Sequence, residues 1–178
     1  MNASRVISSV PHVLSRWVTL QERTVLGATA SEPQTFHSLS QLDYVTILTI
    51  TNNNRVLLVR QFRPALQDFS LELPGGLVEI GELPAVSAER ELLEETGFRP
   101  LSPLVELGCL CPDSGRLENR LWAFFSSDIA PVPHWQPESD VEALSMDIQD
   151  FKDSVCNGSF DNALHISILA LAMLRNLV

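Results

Sequence analysis

The chain has 178 residues, 45% hydrophobic and 19% charged, which fits one folded domain with a sizeable core and not a disordered chain. Its net charge of −10 excludes a nucleic-acid coat protein or an anionic-membrane binder, since both need a positive field. Lys152 is the sole lysine, so arginine carries nearly all the positive charge, and arginine is the better fork for phosphate.

In chain order, Met1 to Pro11 is Ser-rich and lacks an apolar run, so a secretory signal is not expected. His12 to Val25 alternates loosely (Val13, Trp17, Val18, Leu20) and predicts one or two strands. Tyr44 to Thr51 and Arg55 to Phe62 are β-branched, apolar runs on either side of Asn52, Asn53 and Asn54. Asn tolerates left-handed backbone geometry, so the pair predicts a hairpin. Leu71 to Leu73 predicts a short strand running into Pro74, Gly75 and Gly76.

The period then changes. Pro84 to Thr96 consists of good helix formers, with Pro84 suited to the first helical position and Gly97 to the C′ position. Leu104 to Leu110, Leu117 to Phe125 and Val141 to Met146 return to strand character. Asp150 to Cys156 predicts a short helix ended near Asn157 and Gly158. Asn162 to Leu177 predicts a longer core helix, apolar round most of its circumference, with a partner-facing helix as the sharper alternative. Its most apolar part, Ile166 to Leu174, is too short to cross a bilayer. Cys109, Cys111 and Cys156 give no zinc or disulfide spacing and read as reduced, inert thiols, the first two sharing one strand face. The expectation is a soluble, cytoplasmic, mixed α/β domain in which strands outnumber helices.

The chemistry concentrates between Gly76 and Phe98. Glu91, Glu94 and Glu95 stand at i, i+3 and i+4, so their carboxylates project from one helical face, and Arg90 reaches Glu94 at i+4. Glu82 lies just before the helix, near its positive end. Crowded carboxylates repel, and hard divalent cations turn that repulsion into binding. Pro74, Gly75 and Gly76 bring backbone close to the same place without β-carbons. Alone, the glutamates also fit a solvated acidic face.

The wider pattern decides. Gly76, five residues, Glu82, seven residues, then Arg90, Glu91, Leu92, Leu93, Glu94, Glu95, Thr96, Gly97 and Phe98 resembles the signature box of the Nudix hydrolases at every defined position. Chance agreement per window is on the order of 10⁻⁹ at ordinary residue frequencies. The resemblance implies an α/β/α sandwich with a mixed central sheet, spread over one domain (residues 1–178, with the N-terminal strands in about the first 40 residues and the box at 76–98). It implies that Glu91 and Glu95 are the main ligands of Mg²⁺, or of Mn²⁺ in its place, with Glu94 sharing or supporting them and the Gly75 carbonyl adding a ligand. Arg90 would orient the glutamates. The implied reaction is attack of water on a phosphorus of a nucleoside diphosphate joined to another group.

Two stretches, Gln61-Phe62-Arg63-Pro64 and Leu71 to Glu79, resemble the segments preceding the box in ADP-ribose and nucleotide-sugar pyrophosphatases. They imply that Arg63 touches substrate and that Glu72 assists. Alanine is the more usual residue at position 75, and the loop Pro112 to Gly115 with Glu118 matches the family's downstream loop only loosely. For the base that deprotonates water, the order of choice is Glu138, Glu142, then Glu118, with a solvated loop charge as the alternative for each. His12, His37, His134 and His165 show no metal spacing and read as incidental; Trp17, Trp122 and Trp135 read as core or interface residues before nucleobase stacks.

The expected activity is hydrolysis of ADP-ribose to AMP and ribose 5-phosphate. A GDP- or ADP-hexose is the rival substrate, and a ligand-binding regulator without catalysis is the rival class, disfavoured by the intact box. The expected partner is a small nucleoside-diphosphate compound, with no nucleic acid and no membrane. The resemblance also implies a homodimer with exchanged N-terminal strands.

Overall fold

The structure, a computed structural model, describes residues 3–137 and 139–178. The chain divides into two compact units, Met1–Asp43 with Cys111–Arg120, and Tyr44–Leu110 with Leu121–Val178.

The first unit is an antiparallel meander of β1 (Arg5–Val13), β2 (Thr19–Leu26) and β3 (Gln34–Ser40). The strand signal at 12–25 therefore belongs to two strands and a third follows, unanticipated, in a stretch with little apolar alternation. Residues 111–120 join this unit through Leu39, whose N–H donates to Arg116 O at 2.7 Å and whose carbonyl accepts from Glu118 N at 3.0 Å. Arg23 and Ser38 both donate to Glu118. On β1, Val6, Ile7, Val10 and Val13 are exposed.

The second unit runs β4 (Tyr44–Thr49), β5 (Arg55–Arg63), β6 (Asp68–Glu72), β7 (Gly75–Leu77), α1 (Pro84–Thr96), β8 (Phe98–Pro100), β9 (Val105–Leu110), β10 (Leu121–Ser126), β11 (Ile129–Pro131), β12 (Val141–Asp147), α2 (Ile148–Asn157) and α3 (Ala163–Leu174). Its four-stranded sheet has the order β7-β4-β10-β9 and is mixed, with β4 and β10 parallel and the other pairs antiparallel. An antiparallel sheet β12-β5-β6 and a β11-β8 pair complete it.

Successive strand residues point to opposite faces, and here both faces are apolar. Val45 and Ile47 of β4, Leu57 of β5 and Phe124 of β10 pack with Ala88 and Leu92 of α1. Their neighbours Leu48, Val56, Leu58, Ala123 and Phe125 pack with Phe151 of α2 and with Ile168, Leu169 and Ala172 of α3. Strands covered on both faces read as continuous apolar runs, which is why these segments showed no alternation. The arrangement is helix, sheet, helix, as expected.

Three local expectations need correction. The Asn turn exists, with Asn54 at φ 57° and Thr51 N donating to Arg55 O at 2.8 Å. Beyond a single Ile50–Val56 bridge, however, its two strands part into different sheets, so it is a corner and not a hairpin. The run from Leu117 becomes a strand only at Leu121, because residues 117–120 belong to the first unit. The last helix stops at Leu174, after which Leu177 and Val178 fold back onto the core.

Candidate active site

Helix α1 starts at Pro84 and ends at Gly97, which takes φ 73° and returns its N–H to Leu93 O at 2.9 Å. A left-handed C′ residue is a position glycine takes at little cost. Gly97 has a second reason to lack a side chain, since a β-carbon there would lie 2.5 Å from the Trp135 ring. That contact, with Val132 N donating to Gly97 O at 2.8 Å, pins the segment leading towards residue 138 against the helix end.

Arg90 organises the acidic cluster. Its guanidinium donates to Glu82 Oε1 at 3.2 Å and Oε2 at 3.0 Å, to Glu91 Oε1 at 2.8 Å, to Glu94 Oε2 at 3.0 Å and to Leu77 O at 3.1 Å. Glu82 is further held by Ser87 Oγ, which donates to it at 2.5 Å. The Arg90 and Ser87 hydrogen bonds pull the Glu82 carboxyl down to about 2, so it is ionised throughout the physiological range. The same Glu82 contact raises the Arg90 pKa, against the opposing effect of burial. One cation therefore spans three carboxylates and ties the loop after β7 to the helix.

The opposite edge of this face meets β7. Glu95 is buried and accepts a hydrogen bond from Gly75 N at 2.8 Å. Glu91 lies against Gly76, where a β-carbon would sit 2.4 Å from its Oε1. Glu91 and Glu95 line one cavity of about 330 Å³ with Tyr44, Gln61, Arg63 and the two glycines. Glu94 points instead towards solvent, half exposed, beside Trp135 and Gln136. Gly75 is also required by packing, because a β-carbon there would come within 2.2 Å of Val45 O. That accounts for glycine where the resembling family more often has alanine.

A hard divalent cation fits this donor set in kind. Among the described residues no group of three or more His, Cys, Asp or Glu side chains converges on one point. Glu91 and Glu95 nonetheless bring carboxylate oxygens to one cavity, one helical turn apart, beside Gly75 and Gly76, which carry no β-carbon. A cation that keeps several waters and takes substrate phosphate oxygens needs only one or two protein carboxylates.

Arg63 forms a bidentate pair with Glu72, Nε to Oε1 at 2.7 Å and Nη2 to Oε2 at 2.6 Å. Burial works against the ionised Glu72, but the Arg63 hydrogen bonds and charge outweigh it and hold the carboxyl below its ordinary range. A guanidinium carries five N–H donors, so this pair fixes the Arg63 plane and leaves donors for a ligand. Arg63 lines the glutamate cavity and also a second cavity of about 430 Å³.

The three base candidates fare differently. Glu138 lies outside the described residues. Val141 and Gln61 are directly paired and both line the glutamate cavity. Glu142 and Arg60, the next pair along, therefore face the other side of the sheet, where they meet at 3.3 Å. Glu118 lies in the first unit, held by Arg23 and Ser38. Sequence reasoning missed His165. It is buried, accepts a hydrogen bond from Leu73 N at 2.9 Å through Nδ1, and lines the larger cavity. No local pattern announces it, since the contact joins residues 92 positions apart.

Comparison with known proteins gives the family and the fold. A family profile described as NUDIX domain matches residues 41–157. The chain is similar to an ADP-sugar pyrophosphatase of Mus musculus, 32% identical over 95 residues, covering 47% of this chain and 43% of that protein. It is similar to an ADP-ribose pyrophosphatase of Bacillus subtilis, 43% identical over 54 residues, covering 30% and 29%. A methanol dehydrogenase activator of Bacillus methanolicus is 46% identical over 54 residues, again covering 30% and 29%. The matched segments thus span less than half the length of these relatives. A solved structure described as an ADP compounds hydrolase superposes with a TM-score of 0.83 at 19% identity, over 96% of this chain and 92% of that one, which establishes the fold.

Proposed function

The chain belongs to the NUDIX domain family, and from that premise we propose that it hydrolyses the pyrophosphate bond of a nucleoside-diphosphate derivative, with ADP-ribose, split to AMP and ribose 5-phosphate, as the leading substrate. The observation that carries the reading is the shared cavity of Glu91, Glu95 and Arg63 beneath Gly75 and Gly76. The pyrophosphatase relatives support the substrate class.

In this reading Glu91 and Glu95 hold the cation, with Glu94 in support and the Gly75 carbonyl as a further ligand. When bound, Mg²⁺ (or Mn²⁺ in its place) supplies charge withdrawal from phosphorus and a more acidic water. The chain's own residues do the rest. Arg90 keeps Glu91 and Glu94 from swinging apart, and the Gly75 N–H fixes the Glu95 carboxylate. Arg63, held flat by Glu72, binds the diphosphate. Glu138 takes the proton from water, a role for which Glu142 is turned away by its pairing with Arg60.

The whole chain is read as one such domain, in the cytoplasm. The exposed apolar residues of β1 support its use as a contact between two copies. No described helix is long and apolar enough to cross a membrane. The test is incubation with ADP-ribose, GDP- and ADP-hexoses and nucleoside triphosphates in Mg²⁺, with product identification. AMP without free pyrophosphate is expected from ADP-ribose. Preference for a triphosphate contradicts the substrate class.

A further inference from the structure

The glutamate cavity and the larger cavity beside it share Tyr44, Arg63, Gly75 and Gly76 as common wall. The two cavities therefore adjoin at Gly75 and Gly76, which place no β-carbon between them. The larger cavity, about 430 Å³, lies within the range of small-molecule sites. Its charged groups, Arg63 and Glu72, neutralise each other. The rest of the lining carries no charge and mixes apolar side chains (Val45, Leu66, Leu121, Leu164) with the hydroxyls of Tyr44, Thr46 and Ser70, the Asn162 amide and the His165 imidazole.

His165 is the most constrained of these. Its Nδ1 accepts from Leu73 N–H, so the neutral ring must carry its proton on Nε2. Burial lowers the ring's pKa to about 4, which keeps it neutral at working pH. Only 7% of the residue is exposed, yet Nε2 is not among the fully enclosed polar atoms that lack a partner. His165 lines the cavity, and the Nε2–H is the donor its ring has left to offer there. Donors, hydroxyls and charge neutrality suit a hydroxyl-bearing group better than a further phosphate.

We propose that this cavity is the specificity subsite for the uncharged sugar on the far side of the pyrophosphate, and that the His165 Nε2–H is the donor that recognises a sugar hydroxyl. The inference rests on the function proposed above and deepens it. His165 binds the sugar and takes no part in bond breaking.

Asparagine at 165 keeps an acceptor near the Nδ1 position for Leu73 N–H but deletes the distal donor. Glutamine places an amide N–H near Nε2 but loses the inner acceptor. The experiment measures binding in Mg²⁺ of the α,β-methylene analogue of ADP-ribose, which cannot be cleaved, and of AMP, which lacks the distal sugar. His165→Asn should weaken the analogue about tenfold, the worth of one neutral hydrogen bond, and leave AMP unchanged. His165→Gln should keep the analogue's affinity while melting earlier than wild type. Unchanged analogue binding by folded His165→Asn, or equal loss for analogue and AMP, overturns the subsite while wild-type cleavage of ADP-ribose leaves the proposed function standing. A wild type that neither binds the analogue nor cleaves ADP-ribose overturns both.

Discussion

Gly76 stands so close to Glu91 that a β-carbon on it would lie 2.4 Å from Oε1 and 2.7 Å from Oε2 of the carboxylate. The next residue back has the same identity for a different reason, because a β-carbon on Gly75 meets the backbone oxygen of Val45. A carboxylate at the end of a flexible side chain can move aside, whereas a paired strand cannot.

The two alanine variants should therefore separate function from fold. Gly76→Ala should melt close to wild type yet lose activity about 10²-fold, since a displacement near 1 Å costs that much at a reacting centre. Gly75→Ala should lose about 1–3 kcal/mol of stability through overpacking. Thermal melts beside initial rates check both. The account of the two glycines is wrong if Gly76→Ala unfolds the protein while Gly75→Ala is silent.

Arg63→Ala removes the proposed diphosphate contact and strands the buried Glu72. KM should rise more than kcat falls, because the contact exists in ground and transition states alike. Stability should fall by about 1–3 kcal/mol, as for a buried acceptor left without its partner. An unchanged KM with a collapsed kcat would place Arg63 in the chemical step.

The box and its helix were legible because their signals are local: Pro84, Gly97 and the spacing of Glu91, Glu94 and Glu95 all lie within one turn-and-helix segment. The α/β/α layering followed from the family resemblance, and strands such as Tyr44–Thr49 could be seen as apolar runs without their partners being readable. What stayed hidden depends on long-range pairing. The separation of β4 from β5, the short β7, β8 and β11, and the Leu73–His165 bond all join residues whose neighbours in sequence carry no trace of the contact. Glu142 ranked second to Glu138 as base candidate, and its pairing with Arg60 across β12 and β5 was not readable from the sequence.

His165 also predicts a pH dependence of stability. Its folded pKa, about 4, lies below the ordinary 6.5, with burial as the main cause, the Glu72 charge opposing and the Arg63 charge adding. The unfolded chain then binds the extra proton first, so stability is whole above pH 6.5 and falls as pH drops towards 4. At pH 5 the loss is about 2 kcal/mol. Glu72 and Glu82, whose pKa values are lowered, contribute losses only at lower pH, as they protonate. Melts from pH 7 to 5 should show this slope in wild type and a flatter one in His165→Asn. Parallel slopes would remove His165 as its source.

Glu138→Gln keeps size and polarity but removes basicity. A general base in that position predicts a fall in kcat of roughly 10²–10⁴ with KM little changed. Full activity in the variant would take the role away from Glu138.

The central claim is that Glu91 and Glu95 bring a divalent cation to a diphosphate in a chain whose net charge is −10. Glutamine at 95 can still accept the Gly75 N–H bond and removes one of two like charges a helical turn apart, so Glu95→Gln should fold as well as wild type. The decisive measurement is the rate of ADP-ribose cleavage against Mg²⁺ concentration for wild type and Glu95→Gln, with an excess-EDTA control and melts with and without Mg²⁺. Wild type should be inactive in EDTA, and the variant should be folded, nearly inactive and only partly rescued by excess Mg²⁺. Near-wild-type turnover by Glu95→Gln, or by wild type in EDTA, would contradict the account.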